Sequence, residues 1–319
     1  MDNVNNITKT GYHSCVSCGV CAAVCPEKAI SIVRDNDGFY VPNIDNRLCT
    51  GCGMCTKVCY QYLENKEKPV NCFTDKDMYA AWSKNPQIVQ SCSSGGIGYE
   101  LTKCFYNKNY KICGCIFDVA NDDCKHIIAA SEEDLEAIKT SKYLQSYTVD
   151  AFSQFQKDNN YLVIGTPCQI YGLREYIRLK NWENQFILVD FICHGVPSFE
   201  LWKKWKEYTV KKEHLPQVWK SFNFRYKDGK NYRWHKFTFH VKDLKDKEYF
   251  LPSKLFTEVW DYCRNKSCYH CLLRQEDCFS DIRIADFWGE KYDKRNDGVS
   301  LVIPNTQRGE EVWNEIKSQ

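Results

Sequence analysis

The chain has 319 residues, 43 basic against 41 acidic, and is 43% hydrophobic with 17 Phe, 20 Tyr and 9 Trp. That length suits one small and one larger domain with a real core, and the balanced charge offers nothing to nucleic acid. No apolar run reaches the length of a membrane span and the polar start, residues 1–9, reads as no signal peptide. The 20 cysteines therefore point to a reducing cytoplasm rather than a secreted disulfide scaffold.

The first elements are cysteine motifs. Cys15, Cys18, Cys21 and Cys25 form C-x2-C-x2-C-x3-C, and Cys49, Cys52, Cys55 and Cys59 repeat it 34 residues later. Three thiolates at three-residue steps wrap one four-iron cluster, while the fourth swings away to the other. The expected sets are therefore crossed: Cys15, Cys18, Cys21 and Cys59 on one cluster, Cys49, Cys52, Cys55 and Cys25 on the other. Paired C-x2-C also binds zinc, but zinc sites take four ligands per ion and share no fourth cysteine. The pattern is that of the bacterial two-cluster ferredoxin and covers residues 8–63. Gly19, Gly51 and Gly53 supply the tight turns that aim amides at sulfur. Pro26 follows Cys25 as that pattern expects, whereas Tyr60 stands in the matching place after Cys59. Residues 29–33 and 38–42 predict a hairpin turned at Asn36-Asp37-Gly38. Such clusters are oxygen-labile, which points to an anaerobic or microaerobic host.

Residues 64–78 are polar, contain Lys66-Glu67-Lys68-Pro69, and read as a linker to a larger domain over 79–319. Residues 161–165 are a short apolar run ending in Gly-Thr-Pro, as a buried parallel strand would be. A helical pattern follows over 169–180 at Ile170, Leu173, Tyr176 and Ile177. A second buried strand is predicted over 186–192 and the next helix near Ser198. This order predicts a right-handed parallel unit with its functional loops at the strands' C-terminal ends. Both strands deliver a cysteine there, Cys168 and Cys193. Residues 222–226 and 234–241 alternate around Asp228-Gly229 and predict an antiparallel hairpin attached to the sheet. The fold class expected is an α+β ferredoxin-like two-cluster domain, then a larger α/β domain with a mostly parallel sheet and an added antiparallel hairpin. No G-x-G-x-x-G follows a strand and no Walker loop is present, so neither a Rossmann dinucleotide site nor a nucleotidase site is indicated.

Six further segments run in order across about residues 80–305. They are Ser93-Ser94-Gly95-Gly96, Ser141-Lys142-Tyr143-Leu144-Gln145-Ser146, Gly165-Thr166-Pro167-Cys168-Gln169, Cys193-His194-Gly195-Val196-Pro197-Ser198, Ser267-Cys268-Tyr269-His270-Cys271 and Asp281-Ile282-Arg283-Ile284-Ala285-Asp286-Phe287-Trp288-Gly289. Together they resemble the beta subunit of the coenzyme F420 (deazaflavin) hydrogenases and dehydrogenases, where a fused N-terminal two-cluster ferredoxin is a known arrangement. The resemblance implies an FAD-containing domain that exchanges a hydride with the deazaflavin and single electrons with clusters. It also implies that Cys168, Cys193, Cys268 and Cys271 hold a third four-iron cluster. Relatives that continue beyond residues 302–306 imply a different substrate here, or a pocket completed by another subunit.

Local readings stand beside these implications. Cys263-x4-Cys268-x2-Cys271-x6-Cys278 is a self-contained set suited to zinc or a plant-type cluster, and Cys278 stands where relatives commonly carry arginine. Ser94, Gly95 and Gly96 before a helix over 97–105 offer bare N–H groups to a flavin phosphate, or Ser93 or Ser94 simply caps that helix. Lys142 either sits beside the flavin ring or is a solvated surface lysine. Thr166 and Pro167 touch the ring or end a strand. His194 relays a proton or is structural. No catalytic residue is assigned beyond the candidates Lys142 and His194, and Asp286 and Trp288 line a pocket or pack in the core. Cys72, Cys92, Cys104, Cys113, Cys115 and Cys124 lack ligand spacing and read as small buried apolar groups, with reactivity conceivable only for Cys92.

The expected function is an iron–sulfur flavoprotein oxidoreductase with two ferredoxin clusters, a third cluster and FAD. It would work between a hydride-donating small molecule, deazaflavin or another, and a redox partner protein or ferredoxin. A flavin is needed because hydrides carry two electrons and clusters one. The rivals are a non-enzymatic ferredoxin-type electron carrier and an accessory protein of polysaccharide biosynthesis.

Overall fold

The computed structural model describes residues 5–10, 15–65, 70–71, 73–74, 76–274, 277–292 and 294–318. The expected linker's Lys66-Glu67-Lys68-Pro69 run and Cys72 lie outside the described residues.

The N-terminal unit is built on two glycine turns. Helix α1 (Val20–Ala23) starts at Gly19, with φ 74°, and α2 (Met54–Lys57) starts at Gly53, with φ 72°. Both angles lie in the left-handed region that only glycine enters freely. A Cβ on either residue would also stand 2.4 Å from Thr148 Oγ1 or 2.3 Å from Asn5 Nδ2. Between the helices, β1 (Ile30–Arg34) and β2 (Tyr40–Ile44) pair antiparallel with Arg34 opposite Tyr40. This is the hairpin read from the sequence, set one to two residues later.

Beyond β3 (Val70–Asn71) lies an eight-stranded sheet. Strand β4 (Tyr79–Ala81) leads through α3 (Pro86–Ser91) and α4 (Ile97–Asn107) to β5 (Lys111–Asp118) and β6 (Asp123–Ile128). Then come α5 (Glu132–Ile138), β7 (Ser146–Tyr147), α6 (Val149–Phe152) and β8 (Tyr161–Ile164). Helix α7 (Pro167–Lys180), β9 (Phe186–Phe191) and α8 (Phe199–Lys212) complete the strand–helix–strand–helix unit. Strands β10 (Trp219–Tyr226), β11 (Thr238–Asp243) and β12 (Glu248–Pro252) follow. The chain ends with α9 (Lys254–Trp260), β13 (Asp277–Cys278), β14 (Ile282–Asp286), β15 (Ser300–Pro304) and α10 (Gln307–Ile316).

The sheet order is β4-β15-β14-β9-β8-β5-β6-β7. Four neighbouring pairs are parallel (β14/β9, β9/β8, β8/β5, β6/β7), and three are antiparallel (β15/β14, β4/β15, β5/β6). The sheet is therefore mixed, with four parallel pairs to three antiparallel where a mostly parallel sheet was expected. The connection from β14 to β15 carries no α-helix among its described residues, and without a crossover helix the chain returns antiparallel. The expected attached hairpin is corrected as well. β10, β11 and β12 form a three-stranded antiparallel sheet of their own. Its inner residues Phe224, Phe239, Val241 and Leu251 pack with Trp202, Trp205 and Phe256, and through Phe117 and Cys124 this core also meets β5 and β6 of the main sheet.

Alternation along the central strands builds both faces of the main core. Leu162 and Ile187 pack with Leu101, Leu135 and Trp313 on one side. Val163 and Leu188 pack with Ile170, Leu173 and Ile177 of α7 on the other, and Val20, Val24 and Val58 of the N-terminal unit join that second cluster. Gly172 permits the approach, since a Cβ there would lie 2.9 Å from Val20 Cγ2. The N-terminal unit is thus seated directly on α7.

Candidate functional site

The eight repeat cysteines divide in space into two groups. Cys18 faces Cys15, Cys21 and Cys59, while Cys25 lines a cavity of about 310 Å³ with Cys49, Cys52 and Cys55. Backbone amides point at sulfur, from Ser17 N–H to Cys15 Sγ at 3.4 Å and from Ala29 N–H to Cys25 Sγ at 3.3 Å. Burial, then the neighbouring thiols, push Cys18 and Cys21 well above the ordinary thiol range. Thiols so placed ionise only against a metal centre, which iron supplies. Among the described residues no three metal-binding side chains close tightly enough on one point to hold a single ion. Cys25, Cys49, Cys52 and Cys55 line a cavity instead.

A second cavity, of about 550 Å³, opens at the C-terminal ends of β8 and β9. Cys168, Cys193, Cys268 and Cys271 all line it, with Thr166, Pro167 and Arg274. The fold explains the convergence. β8 and β9 are parallel neighbours, so the residues that follow them emerge side by side. Thr166 caps α7, its N–H donating to Gln169 Oε1 at 2.9 Å while its Oγ1 sits 3.2 Å from Cys168 Sγ. Gly195, with φ 92°, lets the loop after β9 pass under the third segment, where a Cβ would meet Cys268 Cβ at 2.9 Å. Asn265 N–H donates to Val196 O at 3.0 Å and Arg274 Nη1 to Cys268 O at 3.0 Å, fixing that segment in place.

Beneath the cavity lies a fully buried ion pair. Asp190, three residues before Cys193, accepts from Arg283 Nε at 2.9 Å and Nη2 at 2.6 Å, and from Ser280 Oγ at 2.8 Å. Arg283 Nη2 also donates to Leu273 O and Asp277 O, both at 3.1 Å, so one guanidinium ties β9 to the segment that carries Cys271. The rival local cysteine set is not gathered. Neither Cys263 nor Cys278 lines the cavity, and Cys278 is buried against Ile303 and Leu301.

The residues expected at a flavin lie along the same sheet edge with most donors engaged. Gly96 begins α4 at φ 90°, but the Gly95 N–H is spent on Ser300 Oγ at 3.1 Å, so the loop's amides are not all bare as expected. Ser94 Oγ donates to Val299 O at 2.7 Å, and Ser93 Oγ accepts from Ser141 N–H rather than capping α4. Lys142 is neither a solvated lysine nor free at the edge. Its Nζ caps α5 through Ala137 O at 2.6 Å and Ile138 O at 2.9 Å, and burial lowers its pKa to about 8. Thr166 and Pro167 belong to the cysteine cavity. His194 does not line it; partial burial and the nearby Arg274 and Arg264 hold its imidazole below the usual range. Asp286 accepts from Arg225 at 2.9 Å, and Trp288 stacks on Trp234 at 4.6 Å at the surface, not in the core. Cys92 sits in the core with its thiol pushed up to about 12 by burial, so reactivity there is not supported.

The sequence model for the C terminus of the coenzyme F420 hydrogenase/dehydrogenase beta subunit matches residues 158–319, and that of the 4Fe-4S dicluster domain matches residues 14–61. The chain belongs to the F420 hydrogenase/dehydrogenase beta-subunit family. It is 25% identical to an F(420)H(2) dehydrogenase subunit of Methanosarcina mazei over 96% of this chain and 83% of that protein. It is 28% identical to the coenzyme F420-dependent sulfite reductase of Methanocaldococcus jannaschii over 98% of this chain, spanning 47% of that protein. In fold it resembles a chain of the F420-reducing NiFe hydrogenase complex of Methanosarcina barkeri, with TM-score 0.50 at 17% identity over 79% of this chain and 80% of that one. It is an iron–sulfur oxidoreductase relative with a ferredoxin unit at its N-terminus. Among the described residues no helix is long and apolar enough to cross a membrane.

Two buried cations were not read from the sequence. Arg225 Nη2 donates to Ser93 O at 3.3 Å and Lys227 Nζ to Ser94 O at 2.5 Å, clasping the loop before α4. Burial lowers the Lys227 pKa to about 8. A signal was present, since Arg225 and Lys227 alternate with Phe224 and Tyr226 at the end of β10, where charges are normally exposed. His126 was also missed. It accepts or donates at Ser146 Oγ, which in turn takes Gln169 Nε2, so one network runs from β6 to the cap of α7.

Proposed function

We propose that this family member passes electrons between a small organic hydride carrier of the deazaflavin class and a one-electron redox partner protein, through three four-iron clusters. The ligand sets are Cys15, Cys18, Cys21 and Cys59; Cys49, Cys52, Cys55 and Cys25; and Cys168, Cys193, Cys268 and Cys271. One observation carries the reading: four cysteines from three separate segments line a single cavity that Val16 and Ser17 of the ferredoxin unit also line. That contact makes one continuous route from the sheet edge to the exposed Cys52. Partners of the kind named for the relatives, members of F420-dependent complexes, fit such a route.

FAD fits the same edge by charge. Arg225, Lys227 and Lys142 surround the loop before α4, where a pyrophosphate needs cations, and the ammonium groups of Lys227 and Lys142 donate to carbonyl oxygens, which leave their charge uncancelled. The charge of these cations, more than the engaged donors of Ser94, Gly95 and Lys142, would hold the group at the loop of Ser94, Gly95 and Gly96, and it would supply the exchange between paired and single electrons. The chain's own residues do the rest. Arg225 and Lys227 fix the loop, Lys142 closes α5, and the buried cavity walls keep water from the sulfurs.

Anaerobic reconstitution with iron, sulfide and FAD, followed by quantification, tests this reading. The expected content is about twelve irons per chain with bound flavin, and Cys268→Ser is expected to remove about four while leaving the ferredoxin signals intact. Eight irons and one zinc in the wild type would rule out the third cluster, and no bound flavin would leave a non-enzymatic electron carrier.

A further inference from the structure

Two buried donors at the cysteine cavity lack an acceptor. Gln145 lines that cavity together with the four cysteines, and only 3% of it is exposed. Its amide is oriented by the ferredoxin unit, because Gln145 Oε1 accepts the Tyr40 N–H of β2 at 2.9 Å. A backbone N–H can face only the amide oxygen, so the other end is the NH2 group. That group, Nε2, is buried with no hydrogen-bond partner among the described residues. Arg274 lines the same cavity from the segment that carries Cys268 and Cys271. Its Nη1 donates to Cys268 O at 3.0 Å, while its Nε is buried and likewise unpartnered. Gln169, which also lines the cavity, shows the contrast: its Oε1 takes the Thr166 N–H and its Nε2 donates to Ser146 Oγ, both at 2.9 Å. Burying an N–H without an acceptor is unfavourable, and two such groups around one cavity call for an occupant rich in acceptors.

We infer that Gln145 and Arg274 are the hydrogen-bond donors to the four-iron cluster held by Cys168, Cys193, Cys268 and Cys271, and that they set its reduction potential. This rests on the third-cluster reading proposed above. An amide NH2 and a guanidinium Nε–H can only donate, and a four-iron core bound by four thiolates offers electron-rich sulfur and a net negative charge. Reduction adds one electron to the cluster, from the carrier that precedes it on the route, and deepens that charge. Donors already in place stabilise the reduced form more than the oxidised one, keep their own protons, and so raise the potential. Gln145 has a second consequence. The same amide holds the Tyr40 N–H, so the residue that tunes the cluster also seats the ferredoxin hairpin against its cavity.

The test uses the full chain, reconstituted anaerobically with iron and sulfide, in a redox titration followed by paramagnetic resonance. Wild-type iron content decides the underlying reading; a chain that takes up only the ferredoxin pair overturns it, and the inference with it. With about twelve irons present, Gln145→Met is expected to keep them and to lower the third cluster's potential. At a fixed potential the ratio of reduced to oxidised third cluster should fall about fivefold, the equivalent of one lost hydrogen bond. The ferredoxin potentials should stay in place, which a general loosening of the fold would not predict. Arg274→Lys keeps the positive charge but has no Nε–H, and it leaves Tyr40 untouched. A fall in the same direction there separates the lost donor from a loosened hairpin. That variant also decides alone, by the same outcomes, should Gln145→Met fail to fold or lose iron. A full iron content with an unchanged third-cluster potential, as when water satisfies the donors, overturns the inference, and so does a shift confined to the ferredoxin pair.

Discussion

The ferredoxin unit and the cysteine cavity at the sheet edge both gather thiols, but by different physical means. In the first, three of four cysteines of each group come from one turn of chain, held by left-handed glycines at residues 19 and 53. In the second, Cys168, Cys193 and the Cys268/Cys271 pair are brought together only because β8 and β9 are neighbours and a long excursion returns over them. A local site needs a short motif. A dispersed site needs the whole sheet, and is as stable as the contacts that register its segments.

The largest effect should come from the Asp190–Arg283 pair, because it registers the dispersed site and has no role in the local one. Arg283→Met leaves Asp190 as an uncompensated charge in the core, and breaking such a pair costs about 3–5 kcal/mol. Chemical denaturation should show that loss, and iron analysis the loss of about four irons with both ferredoxin signals retained. If the ferredoxin clusters are lost in step, the two regions are one cooperative unit and the contrast fails.

A smaller effect sharpens the local half. Cys25→Ser should perturb the cluster of Cys49, Cys52 and Cys55, with which Cys25 shares a cavity, and spare the cluster built on Cys15, Cys18 and Cys21. Paramagnetic resonance of the variant reads this directly. Behaviour like that of Cys15→Ser and unlike that of Cys49→Ser would show two independent sites with no exchanged ligand.

The same contrast explains what could be read in advance. The cysteine repeat, the hairpin between its halves, β8, α7, β9 and the start of α8 were all legible, since each rests on local spacing or periodicity. Cys168 and Cys193 were legible as strand-end residues once two buried strands were recognised. The mixed pairing was not, because β4 is a three-residue edge strand and the directions of β15 and β6 depend on what links them to their neighbours. β12 was missed because Glu248 and the charged turn before it hide a strand whose buried residue is Leu251. The hydrogen bonds of Lys142 to the carbonyls of α5 were not legible, since no spacing reveals them. Tyr60 was visible as a departure, but its hydroxyl's partner, more than two hundred residues away, was not.

The smallest effect concerns the edge itself and is a matter of pH. Burial lowers the Lys227 pKa in the folded chain to about 8, below its ordinary value of 10.5. Between those values the unfolded chain holds a proton that the folded chain has released. Stability contributed by this group therefore rises with pH across that window, and its cost is fullest below pH 8. Lys227→Met removes the titration. The difference in unfolding free energy, wild type minus variant, should accordingly climb between about pH 8 and pH 10 and be flat between pH 6 and pH 7. The variant also loses the clasp on Ser94 O, a cost that does not vary with pH and so does not enter the slope. A flat difference throughout would mean that the ammonium keeps an ordinary environment. The loop before α4 would then lack the buried positive charge on which the flavin placement rests, while the dispersed cysteine site would stand unaffected.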